Sequence, residues 1–134
     1  MDIQTLEKDY LQLMKKIESY NEAISIMFWD MRTGAPKKGL EQRSEVIGML
    51  SSDVFKLTTS EEMLEYITQL TQPEIYNQLN EITQKSIDET KKNYEKNSKI
   101  PQEEYKEYVI LSSKSEAVWE VAKANDDFSM LQPY

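Results

Sequence analysis

The 134 residues carry 24 acidic and 16 basic side chains, for a formal net charge of −8, with no cysteine and no histidine. That charge repels phosphate backbones and anionic membrane surfaces, so neither nucleic acid nor a membrane is an expected partner. Without Cys or His, the chain can build no disulfide framework, no Ser-His or Cys-His nucleophile pair and no zinc site of the usual ligand type.

The length is that of one ordinary domain. No apolar run approaches a bilayer span. The opening "MDIQTLEKDY" has neither the basic nor the apolar region of a secretory signal, so the cytoplasm is the expected location. Carboxylates remain as ligands for hard cations, but no calcium-loop motif is present.

The first helix is marked by Ile3, Leu6, Tyr10, Leu13, Ile17, Tyr20, Ile24, Met27 and Met31, spaced alternately 3 and 4 apart. This keeps one apolar stripe on one face of a helix, the spacing of a coiled-coil seam or a long bundle helix. Asp2 and Glu7 suit the positive end of its dipole. The stretch "FWDMRTGAP" then predicts a stop near Thr33, with Gly34 in the left-handed conformation and Pro36 unable to continue the helix.

A second helix is predicted over Leu40 to Phe55, with Val46, Ile47, Leu50, Val54 and Phe55 inward. "TTSEE" reads as a capping box between Thr59 and Glu62. A short third helix follows, burying Met63, Tyr66, Ile67 and Leu70. Pro73 opens a fourth, predicted to run to about Asn97 through Ile75, Leu79, Ile82, Ile87 and Tyr94. Pro101 opens a fifth with the stripe Tyr105, Tyr108, Ser112, Ser115, Trp119 and Ala122. Ser112 and Ser115 are small enough to let another helix approach closely. The plain reading of this helix is packing against neighbours; the functional one is a groove wall presenting Tyr hydroxyls. No segment reads as a strand. The closing "NDDFSMLQPY" is apolar where a terminus is usually frayed and polar, and reads as the approach to a further helix. The chain is therefore expected to be a single N-terminal helical segment of a longer protein.

At the first corner, Trp29 lies beside the stripe and is expected to be buried. Asp30 sits in the last turn, where the helix dipole disfavours a negative charge. Arg32 and Arg43 are the candidate compensating cations. A bidentate Asp30–Arg43 pair across the turn would pin the second helix to the first. This structural role is preferred to a catalytic Asp, which would need a second titrating partner in a cleft.

These residues also carry a resemblance. "NEAISIMFWDMRTGAPKKGLEQRSEVIGMLS", from Asn21 to Ser51, resembles the start of the thermostable (Taq-type) carboxypeptidases, a family of zinc metallocarboxypeptidases. The later "IPQEEYKEYVILSSKSEAVWEVAKANDDFSMLQPY" fits the same pattern. Trp29, Asp30, Pro36, Arg43 and Trp119 match motif positions of the family's N-terminal helices. The resemblance implies an all-α fold, here about five helices with long coiled-coil-like antiparallel pairs, part of a larger helical zincin-type peptidase. It implies a deep groove, broad release of C-terminal residues from peptides, cytosolic homodimers, and zinc held by a HExxH helix and a further Glu. No catalytic, cofactor-binding or metal residue carries over, because this chain has no His. The chain alone is expected to be inactive, to hold no cofactor, and to pair with the remainder of its own chain in flanking the groove. The competing reading is a stand-alone acidic helical bundle that binds a partner helix through the first helix's seam.

Overall fold

The computed structural model describes residues 2–134. The protein is all-α: among the described residues there are six α-helices and no strand. They are α1 (Ile3–Thr33), α2 (Leu40–Thr58), α3 (Glu61–Leu70), α4 (Pro73–Tyr76), α5 (Glu81–Asn97) and α6 (Gln102–Ala124). Short 3-10 turns occupy Lys37–Gly39 and Phe128–Met130. The fold divides into two compact units, one of residues 1–19 and 54–101 and the other of 20–53 and 102–134.

The first unit is built on the stripe of α1. Leu6, Tyr10, Leu13 and Ile17 form one buried cluster with Met63, Ile67 and Leu70 of α3, Leu79, and Ile87 of α5. Tyr10 is fully buried. Its hydroxyl lies 2.8 Å from Ser86 Oγ and 2.9 Å from Thr90 Oγ1, so its polar end is satisfied inside the core. Its ring meets Tyr66 edge-on at 6.1 Å. Glu7 is used differently from the dipole role expected of it. Its carboxylate accepts from Thr83 Oγ1 at 2.6 Å and Asn80 Nδ2 at 3.1 Å, tying the start of α5 to α1.

Three expectations are corrected in this unit. The cap of α3 is Ser60, which accepts from the Met63 amide at 3.1 Å. Thr59 instead donates back to the Phe55 carbonyl, because α2 continues to Thr58. The predicted fourth helix is broken into α4 and α5, since Asn80 caps a new helix by accepting from the Thr83 amide at 2.9 Å. The break shifts the phase of the stripe: Thr83 and Ile87 are buried, while Ile82 is 81% exposed.

In the second unit, α2 buries Ile47 and half-buries Val46 and Leu50, as its periodicity predicts. It also buries Ser44, Gly48 and Ser52, four residues apart. This small-residue stripe is what lets α6 approach closely. Ile110 of α6 sits on Gly48, and Gln102 donates to Ser52 Oγ at 3.0 Å. On α6 the buried positions are Ser113 and Ala122. Tyr108 and Trp119, predicted on the stripe, are 66% and 48% exposed. Ser112 and Ser115 are half-buried, and the Ser115 hydroxyl turns back to its own helix at the Ser112 carbonyl.

Candidate functional site

All five residues singled out in the sequence, Trp29, Asp30, Pro36, Arg43 and Trp119, belong to the second unit. Asp30 and Arg43 meet. Arg43 Nη1 donates to Asp30 Oδ2 at 3.0 Å across the turn. The contact is a single N–H···O bond in place of the bidentate pair expected. Both side chains keep more than a third of their surface in water. Arg32 points elsewhere and pairs with Glu116 of α6 at 2.9 Å.

The helix stop is real, but its geometry differs from expectation. No glycine among the described residues has positive φ. The amides of Gly34 and Ala35 both bond to the Asp30 carbonyl, at 3.0 and 2.8 Å. This double closure uses an ordinary backbone conformation, so Gly34 needs no left-handed geometry. Pro36 then starts the 3-10 turn whose Gly39 amide bonds the Pro36 carbonyl at 2.9 Å, and α2 follows directly.

Trp29 is 69% exposed, not buried. The reason is angular. At about 100° per residue, Trp29 lies roughly 200° round the helix from Met27 and on the side opposite the stripe. Ile26, one turn back on that outer face, is 61% exposed. Trp119 is held on its own helix, with Lys123 Nζ 4.9 Å from the ring centroid. Burial, then the charge of a Tyr108 phenolate, raises the Tyr105 phenol above its ordinary value.

One groove had no forecast in the sequence. It has a volume of about 300 Å³ and is lined by Leu40, Val118, Val121, Met130 and Tyr134, with Lys37 among its polar residues. Lys114, also in its wall, is neutralised by Glu41 at 3.3 Å and Glu45 at 3.7 Å. The one visible signal was the apolar run from Phe128 to Tyr134.

Chemically, this arrangement positions and packs. Among the described residues, the Asp30 carboxylate has Arg43 as its ion-pair partner and no hydrogen bond to a second carboxyl group. No group of three or more carboxylates gathers among the described residues in a way that could hold a metal ion. With no His or Cys in the chain, its donor set does not fit a catalytic zinc. No helix of the described residues is long and apolar enough to cross a membrane.

The sequence model of the family described as Carboxypeptidase Taq (M32) metallopeptidase matches residues 9–134. The chain is 52% identical to Carboxypeptidase 1 of Bacillus subtilis over 134 residues, all of this chain and 26% of that protein. It is 28% identical to Thermostable carboxypeptidase 1 of Pyrococcus furiosus over 130 residues, 95% of this chain and 25% of that protein. The crystal structure of BsuCP superposes with a TM-score of 0.92 at 52% identity, covering 97% of this chain and 26% of that one. The chain thus spans about a quarter of the length of the curated relatives it matches.

Proposed function

The chain belongs to the Carboxypeptidase Taq (M32) metallopeptidase family, and on that premise we propose that it is the N-terminal, groove-flanking part of a zinc-dependent carboxypeptidase. In this reading the longer protein releases C-terminal residues from peptides with broad specificity, works in the cytoplasm and is a homodimer. The observation that carries it is the match over the whole chain at 52% identity to a carboxypeptidase about four times as long.

The division of labour follows from the donor set. Zinc lowers the pKa of its bound water and polarises the scissile carbonyl. A HExxH motif, with its two His ligands and its Glu base, must come from outside residues 1–134, because this segment has no His. What the segment contributes is shape. Helices walling a deep groove keep folded proteins out and admit slender peptides. The Asp30–Arg43 bond and the close α2–α6 packing hold that wall rigid.

The stand-alone binding module has less support. The seam of α1 that would receive a partner helix is already covered: Leu6, Tyr10, Leu13 and Ile17 are buried in this chain's own core.

The test is to measure the intact mass of the gene product in cell extract with an antibody to this segment. A mass several times 15.8 kDa is expected. The purified longer protein should then release C-terminal residues only with zinc bound, while the 134-residue chain releases none. A natural product of 15.8 kDa, or zinc-dependent activity in the 134-residue chain itself, overturns the proposal.

A further inference from the structure

The two units are equal in length, yet they bury their apolar residues very unequally. Among the described residues, ten of the buried apolar side chains belong to the first unit and only three, Ile24, Ile47 and Ala122, to the second. The large apolar side chains left in water divide the other way, four in the first unit against ten in the second. Three of the second group line the groove between α2 and α6: Val121 at 36%, Met130 at 37% and Tyr134 at 49% exposed. Isolated exposed apolar residues are ordinary, but a deficit confined to one half of a fold marks a surface built to be covered.

We infer that the groove between α2 and α6 is the seat of the part of the longer protein outside residues 1–134, and that the second unit completes its core only there. The inference rests on the reading above that this chain belongs to a longer carboxypeptidase. Two observations select that occupant. About three quarters of each matched relative lies outside the segment that this chain covers, so a covering partner of the same protein is available. A second copy is disfavoured, because each chain brings a net charge of −8 to the contact. The groove's own charges say what that occupant carries. Lys114 is already paired with Glu41 and Glu45, but Lys37 has no ion pair among the described residues and favours an incoming carboxylate. The occupant is therefore an apolar face, helical by the class of the fold, with an acid placed to meet Lys37.

Hydroxyl-radical footprinting read by mass spectrometry tests this on the 134-residue chain and on the full-length product of its gene. Labelling of Met130 and Tyr134 should fall roughly fivefold in the longer protein, as half-exposed side chains become buried. Ile82, 81% exposed in the first unit, should label equally in both, and Met63, fully buried there, should stay protected in both, as it does only if the 134-residue chain is folded. In the longer protein, Val121→Arg should restore labelling at Met130 and Tyr134 and leave Ile82 unchanged. Equal labelling of Met130 and Tyr134 in both proteins overturns the inference. So does protection in the 134-residue chain that grows with its concentration, which would assign the groove to a second copy. Unprotected Met130 and Tyr134 in a longer protein that still releases C-terminal residues would remove the docking and leave the enzyme reading intact. Protection in a longer protein without zinc-dependent release would do the reverse.

Discussion

Gly48 of α2 faces Ile110 of α6 so closely that a methyl group at position 48 would lie 2.2 Å from Ile110 Cγ1 and 3.0 Å from its Cδ1. No pair of carbon atoms tolerates the first distance, so the two helices must separate or Ile110 must leave its place. Gly48→Ala should therefore destabilise, although alanine is intrinsically better in a helix by about 1 kcal/mol. Overpacking costs typically about 1–3 kcal/mol, and here it outweighs the propensity gain. The urea midpoint should fall at unchanged slope. Adding Ile110→Ala should recover part of the loss, since it removes the atoms that clash. Additive losses in the double variant would show that the contact is not the cause.

Gly34 provides the contrast. A Cβ there would meet only Asp30 Oδ1, at an ordinary 3.6 Å. Its φ is not positive. Gly34→Ala should then be neutral or raise stability by up to about 1 kcal/mol, by restricting the unfolded chain. A clear loss of stability would mean that the turn uses left-handed backbone after all.

The end of α6 carries backbone strain that a substitution can release. Asp126 has φ 52°, the left-handed region, and among the described residues no other non-glycine residue has positive φ. The Asp127 amide bonds the Ala122 carbonyl at 2.9 Å and the Asp126 amide bonds that of Lys123 at 3.3 Å. This is a Schellman closure with an aspartate where glycine is usual. Asp126→Gly should stabilise by about 1 kcal/mol, combining relief of the Cβ clash with loss of an anion at the negative end of the helix. Asp126→Asn removes only the charge and should gain about 0.3 kcal/mol. Equal gains from both variants would assign the whole effect to charge.

How much of this was legible in the sequence depends on what each residue competes with. The stripe of α1 was readable from Ile3 to Met31 because nothing interrupts its spacing. The second half of the predicted fourth helix was not, because Asn80 offers a cap that outcompetes continuation and turns Ile82 outward. Trp29 misled by its chemistry: a Trp beside a stripe suggests burial, whereas its angular position places it on the outer face. Close helix approach was foreseen on the wrong partner. Ser112 and Ser115 were conspicuous on α6, but the stripe that matters is Ser44, Gly48 and Ser52 on α2. Small residues every fourth position signal an approach only once the facing helix is known. The Asp30–Arg43 contact was legible because a carboxylate at a helix C-terminus needs a cation, and a turn of fixed length limits the choice.

That contact yields the prediction closest to function. Asp30 and Arg43 are both partly solvated, so their coupling should be small, about 0.2–1 kcal/mol in a double-mutant cycle of Asp30→Asn and Arg43→Gln. It should shrink as salt rises towards roughly 1 M, where exposed charges are screened within about 3 Å. On the reading proposed above, in which the corner braces the wall of a peptide groove, the same pair can be asked about chemistry in the longer protein. A corner bond that only holds the groove wall affects how well peptide is received, not the proton transfers of the reaction. Asp30→Asn should then raise KM modestly, leave the pH profile of kcat in place, and leave zinc content unchanged. If Asp30 were a general acid or base, its removal would erase one limb of that profile. Loss of a limb, with the fold intact by circular dichroism, would assign Asp30 to the chemistry of the reaction in place of the structural role proposed for it.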